Sequence, residues 1–354
     1  MKKEYYKIIF AGIIIGIIST ALVLFGNPKN MGFCIACFIR DTAGAMKLHS
    51  ASAVQYVRPE IIGLILGSFI LSMFSKEHKA VGGSSPITRF ILGFFAMVGA
   101  LMFLGCPFRM ILRLAGGDYN AILGLFGFIV GIGIGVFFLK KGYSLNRTYE
   151  IKKIDGNIFP IIQVIILILF VAFPALFALS SEPNVPGGMH APIIISLVAG
   201  LIVGALAQKT RFCMMGGIRD IILFKDFKLI SGFVAVLISA LIMNIIFKKF
   251  TPGFEGQAIA HSDFLWNFLG TLLLGFASVL LGGCPLRQLI LTGEGNVDSA
   301  ITFLGYFVGA AFCHNFSLAS SGKGPTLNGK IAVIFGIIVV TIIAIVNSKK
   351  EKKV

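Results

Sequence analysis

Gly105-Cys106-Pro107-Phe108-Arg109 and Gly283-Cys284-Pro285-Leu286-Arg287 are one phrase written twice, 178 residues apart. A second phrase recurs at an offset of 179: Phe33-Cys34 followed by Ile39-Arg40-Asp41, and Phe212-Cys213 followed by Ile218-Arg219-Asp220. Two phrases repeating at nearly one separation mark a duplicated unit. Each puts a cysteine and an arginine at the end of a long apolar run.

Working outward, the 354 residues are 56% hydrophobic and only 13% charged, with a mean hydropathy of +0.92. That is the composition of a polytopic membrane protein, not a soluble one. The net charge of +16 is not a nucleic-acid signature, because the lysines and arginines lie mostly between or beside apolar runs, where anionic headgroups and the positive-inside bias account for them. The six cysteines lack the dense spacing of a disulfide scaffold.

Ten apolar runs stand out, at 5–26, 56–75, 87–104, 119–139, 158–180, 191–208, 229–247, 263–281, 300–320 and 329–347. Most approach the ~20 residues that cross the hydrocarbon as a helix. The first reads as a span, not a cleaved leader, because it is long and has no clear small-residue cleavage site. With the N-terminus in the cytoplasm, 21 of the 31 basic residues fall on the cytoplasmic side, among them Lys2, Lys3, Lys7, Lys349, Lys350, Lys352 and Lys353; Lys248 and Lys249 fall on the other. The expectation is a plasma-membrane, multi-pass protein with both termini inside. Five crossings separate equivalent points of the two units, and five is odd, so the repeats are inverted. The predicted fold is all-α, with ten helices and four short re-entrant ones. The predicted division is a first repeat over 1–139, a cytoplasmic loop and linking helix over 140–190, an inverted second repeat over 191–320, and a last helix with a basic tail over 321–354.

The chemistry falls in 27–49, 105–118, 209–226 and 283–296, which are too apolar for free loops and too short to cross. Broken backbone at membrane depth is tolerated where it is buried in protein or lines a cavity. Proline favours the first turn of a helix, so Cys106 and Cys284 are expected at N-caps, with Arg109 and Arg287 three residues on. Helix N-termini attract anions, arginine forks suit oxyanions, and a thiol offers a soft partner and a weak donor. The site therefore suits a small anion carrying both oxygens and a soft sulfur or selenium. Arg40-Asp41 and Arg219-Asp220 fit either an internal ion pair or substrate contact. Cys37 makes a C-x-x-C with Cys34, but its repeat counterpart is Gly216, so a metal site, which needs about four ligands, is not expected. Cys313 reads as a small buried hydrophobe. The five histidines do not cluster along the chain, and Asp118, Glu294 and Asp298 are placed to cap following helices. No cofactor or nucleic-acid motif is present, nor one for ATP.

These phrases resemble the YeeE/YedE sulfur-transport family over nearly the whole chain. The longer forms, Gly32–Asp41 and Arg211–Asp220, are similar to the YedE branch, proposed to transport selenium. The resemblance implies an hourglass-shaped membrane fold in which short re-entrant helices meet at the centre. There, cysteines hand thiosulfate along by S–H contacts to its terminal sulfur. It implies that role for Cys106, Cys284 and one of Cys34 and Cys37.

The functional expectation is a permease, not an enzyme, for a small selenium- or sulfur-containing species. Substrate enters past Cys34, Cys37 and Arg40, crosses at Cys106 and Cys284, and leaves past Cys213 and Arg219, with Arg109 and Arg287 beside the path. Its partners are that substrate, membrane lipid and a cytosolic sulfur- or selenium-carrier protein. Three readings stand beside it: uptake of thiosulfate itself, a thiol-redox or sulfur-transfer enzyme using Cys34 and Cys37, and a non-transporting membrane partner of a sulfurtransferase.

Overall fold

The structure is a computed structural model that describes residues 2–348. Fourteen α-helices carry the described chain: α1 (Lys2–Leu24), α2 (Ile35–Ala45), α3 (Pro59–Phe74), α4 (Pro86–Phe103), α5 (Pro107–Ala115), α6 (Asn120–Lys140), α7 (Lys153–Ala172), α8 (Ile193–Thr210), α9 (Met214–Phe224), α10 (Lys228–Ile246), α11 (Phe264–Leu281), α12 (Pro285–Gly293), α13 (Val297–Asn315) and α14 (Leu327–Val346). Ten candidate spans among the described residues are long and apolar enough to cross a membrane. The chain is an all-α, multi-pass membrane protein. Its only sheet among the described residues is a two-stranded ribbon, β1 (Val81–Gly82) against β2 (Tyr149–Glu150).

Each apolar run of the sequence holds one long helix, with boundaries moved where local chemistry dictates. The run 158–180 becomes α7, which starts earlier, at Lys153, and stops at Ala172. The segment Pro174–Leu176 that follows is a single 3₁₀ turn. The run 300–320 becomes α13, opened by Asn296, whose side chain accepts from the Ser299 N–H. It ends at Asn315, before Ser317 takes the left-handed conformation (φ 56°) that breaks a helix. The basic residues Lys349, Lys350, Lys352 and Lys353 lie outside the described residues.

Helices α2, α5, α9 and α12 are nine to eleven residues long. At ~1.5 Å per residue they cover about half of the ~30 Å hydrocarbon. All eleven residues of α2 are buried, so it is enclosed by protein.

The long helices pair across the two halves: α1 on α10, α3 on α8, α4 on α13 and α6 on α11, with α4 on α11 at the centre. Every pair has its counterpart under the duplication, in which α1 to α6 match α8 to α13. Close approach at glycines fixes the directions. Gly12 lies against Gly232, and Gly16 against Ser239; Gly200 lies against Glu60, and Gly204 against Leu64. Gly127 meets Phe268 and Gly131 meets Leu272; Gly305 meets Phe90 and Gly309 meets Phe94. Numbers rise together in all four pairs, so each is parallel, which is the pairing an inverted duplication requires. In lipid, small residues let backbones approach where hydrophobic burial gives no drive.

These seams differ sharply from the lipid side. A Cβ added at Gly131 would stand 2.1 Å from the Leu272 carbonyl oxygen, whereas one at Gly133 meets nothing within 4 Å. Gly131→Ala is expected to lower stability by about 1–3 kcal/mol, the usual cost of overpacking. Gly133→Ala is expected to be neutral or slightly stabilising. Thermal unfolding of the two variants in one detergent checks the contrast.

Candidate functional site

A cysteine stands at the N-cap of all four short helices: Cys34 before α2, Cys106 before α5, Cys213 before α9 and Cys284 before α12. Before α5 and α12 the next residue is proline, whose missing N–H costs nothing at a helix start. Before α2 and α9 the cysteine sulfur acts as the cap acceptor. Cys34 Sγ accepts from the Cys37 N–H and Cys213 Sγ from the Gly216 N–H, both at 3.3 Å. All six cysteines are buried and unbridged.

In the first half Cys106 Sγ accepts from the Ile35 N–H at 3.3 Å, which brings the start of α5 onto the first turn of α2. Cys37, in the same first turn, lies 3.8 Å from both the Leu104 carbonyl and Arg109 Nη1. The Arg109 guanidinium is fully buried. Its partners are that sulfur and the backbone carbonyls of Asn30, Leu104, Ala258 and Ile259. No carboxylate is among them. Ala258 and Ile259 belong to the segment between α10 and α11, so the second half supplies two of the carbonyls.

The second half also brings its two N-cap cysteines together, by a different contact, and changes the charge. Cys213 Sγ and Cys284 Sγ are 3.6 Å apart. Arg287, the counterpart of Arg109, is held by both oxygens of Glu294 at 3.0 and 3.3 Å. The residue that stands where Glu294 would have its first-half equivalent is Gly116. Among the described residues, one cluster therefore contains a cation with no carboxylate partner, and the other a neutral pair.

Arg40 and Arg219 each fork onto the neighbouring aspartate, at 2.7 Å to Asp41 and 2.8 Å to Asp220. Asp41 is fully buried and shared with Arg58 at 2.8 Å, whereas Arg219 and Asp220 are partly exposed. Each Cys-Pro cysteine lies beside the Phe-Cys cysteine of its own half, and Met214 and Met215 are buried in the first turn of α9. Cys313 is a buried thiol in the helix core, and no group of His, Cys, Asp and Glu among the described residues could hold a metal ion.

The capping roles expected of three acidic residues are largely replaced by ion pairing and loop anchoring. Glu294 binds Arg287. Asp118 pairs with the fully buried Arg113 at 2.6 Å while still accepting from the Asn120 N–H. Asp298 accepts from the Gly83 and Ser84 N–H groups, and α13 is capped by Asn296. A buried guanidinium gains more from a carboxylate than a helix N–H does. The histidines are not all separate either, since His49 and His314 stack with centroids 4.7 Å apart, because α2 packs on α13. Arg58 and Arg113 lie outside the residues that the repeated phrases single out. Arg113 had a signal, four residues after Arg109 in an apolar stretch; Arg58 had only its place before Pro59.

Fold and site together define a polytopic membrane protein with a thiol cluster at broken helix ends in each half. The profile of the family described as "Sulphur transport" matches residues 209–350. Over 140 residues the chain is 29% identical to "Thiosulfate transporter TsuA" of Escherichia coli strain K12, and over 114 residues 28% identical to the protein of that name from Spirochaeta thermophila. These alignments cover 39% and 32% of this chain, and only 38% and 34% of the relatives' own length. Over the matched residues the chain is similar to the sulfur-transport family.

Asp41→Asn leaves two buried guanidiniums sharing a neutral amide. It is expected to destabilise the protein by about 3–5 kcal/mol, the usual cost of breaking a buried pair. Asp220→Asn, at a partly exposed pair, is expected to cost under about 1 kcal/mol. Unfolding midpoints of both variants measured side by side decide it.

Proposed function

We propose that this chain is a permease that carries a small sulfur- or selenium-containing anion between its two thiol clusters. The observation that carries the reading is the set of four buried N-cap cysteines, two in each half, with Arg109 uncompensated beside the first. A protonated thiol donates to the soft terminal atom of such an anion, while free N–H groups at the helix starts and the guanidinium favour its charge. Binding of this kind makes and breaks no covalent bond, so the chain acts as a transporter and not as a thiol-redox enzyme.

In this reading residues 1–139 capture and residues 191–320 release. Cys34, Cys37 and Cys106 receive the anion, with Arg109 supplying attraction and Arg40 shaping the site through Asp41. Cys284 and Cys213 take it over, and it leaves past Arg219 where the chain opens to water. Arg287, neutralised by Glu294, holds the second cluster without retaining the ion. The lysine distribution supports a plasma-membrane protein with both termini in the cytoplasm, so release faces a cytosolic carrier protein for sulfur or selenium. The named relatives favour thiosulfate. The additional soft atoms of Cys37, Met214 and Met215 favour a selenium species as the second substrate.

Uptake of radiolabelled thiosulfate and selenite by cells lacking their own carriers tests the proposal. Wild type is expected to take up at least one. Removing one donor to an anion costs about 1.5–3 kcal/mol, so Cys106→Ala and Cys284→Ala should each lose roughly tenfold to a hundredfold in uptake. Full uptake by both variants, or none by wild type present in the membrane, would sink the reading.

A further inference from the structure

A cleft of about 380 Å³ opens between the segment after α3, the β2 strand and the first turns of α7. It is lined by Lys76, Lys79, Lys153, His78 and Asn157, with one carboxylate, Glu150. Among the described residues none of the three lysines takes part in an ion pair, and neither does Glu150. The next carboxylate along the chain, Glu77, is turned elsewhere: it accepts from Gln208 Nε2 at 2.8 Å and pairs with Lys209 and Arg211. At the cleft wall His78 Nε2 and Asn157 Oδ1 are enclosed without a hydrogen-bond partner.

The volume admits a tetrahedral oxyanion together with several waters, each of which needs ~30 Å³. Ammonium groups bind phosphate as compact point charges, without a fixed fork. The wall of the cleft is also tied to the second thiol cluster. The Lys79 N–H donates to the Glu294 carbonyl at 3.0 Å and the Val81 N–H to the Gly295 carbonyl at 3.3 Å. Gly295 is left-handed (φ +94°), and a Cβ there would meet the His78 ring at 2.6 Å. Glu294 holds Arg287, three residues after Cys284.

We propose that this cleft is a binding site for a phosphate-bearing anion, held by Lys76, Lys79 and Lys153 against the turn that closes α12. The same chemistry is offered by the headgroup of an anionic lipid and by a free phosphate. The site does not depend on the transport reading.

Thermal unfolding of the full chain in phosphatidylcholine nanodiscs, with inorganic phosphate titrated against chloride at equal ionic strength, is the test. It is repeated in discs containing phosphatidylglycerol and with the Lys76→Gln/Lys79→Gln/Lys153→Gln variant. A ligand that binds only the folded state raises the midpoint. A rise of a few degrees with phosphate in wild type, absent in the variant, identifies a free anion as ligand. A rise only in the phosphatidylglycerol discs, again absent in the variant, identifies a lipid headgroup. Equal shifts in wild type and variant, or no shift with either source, overturn the proposal. Should the triple variant fail to fold, the three single variants carry the comparison, each expected to reduce the shift.

Discussion

Hydrocarbon cannot solvate a broken backbone, and this protein breaks its backbone four times at the ends of apolar helices. Every N–H left open at the start of α2, α5, α9 and α12 must be answered from within. Sulfur answers part of the demand, capping α2 and α9 directly and reaching from Cys106 to the first turn of α2. Arginine answers the converse demand, since carbonyls stranded where α4 ends are collected by Arg109 and Arg113. The residues expected to handle substrate are thus also the residues that keep the broken helices in place. This is why the site is buried and its cations are so firmly tethered.

The two halves solve that problem with the same N-cap cysteines and different charges. Glu294 neutralises Arg287, while Gly116 at the equivalent place leaves room for Asn30 and gives Arg109 no acid. Asp41 carries two guanidiniums and Asp220 one. The two units share one frame and differ at a few equivalent positions, which makes their clusters electrostatically unequal. In the permease reading, an anion meets two clusters of unequal charge, the first with a free cation and the second with a neutral pair.

Much of this was legible in the sequence because duplication leaves marks that composition does not. Two phrases at matching offsets located the short helices, and Cys-Pro placed two of the four N-caps. Helix ends were less legible: α7 and α13 begin at residues whose role depends on what packs against them, such as Gly156 beside Ala80. Partners far apart in the chain were not legible at all. Arg58 meets Asp41 from 17 residues away, and Arg109 takes carbonyls 149 and 150 residues on. The acidic residues after the Cys-Pro phrases read as caps because capping is a local rule, whereas a buried cation is a tertiary demand that a local rule cannot see.

The parallel glycine seams have a mechanical meaning. Each of the four joins a helix of one half to a helix of the other, so the halves are interleaved and do not sit side by side. Sliding one half as a rigid body would shear all four seams together, at contacts where no Cβ fits and no slack exists. Such a frame resists rocking. The parts with freedom to move are small: a thiol rotor, a guanidinium releasing a carbonyl, a helix of nine residues tipping on its cap. In the permease reading, such a frame leaves side-chain rearrangement, and not the swing of whole domains, as the motion that lets an ion pass.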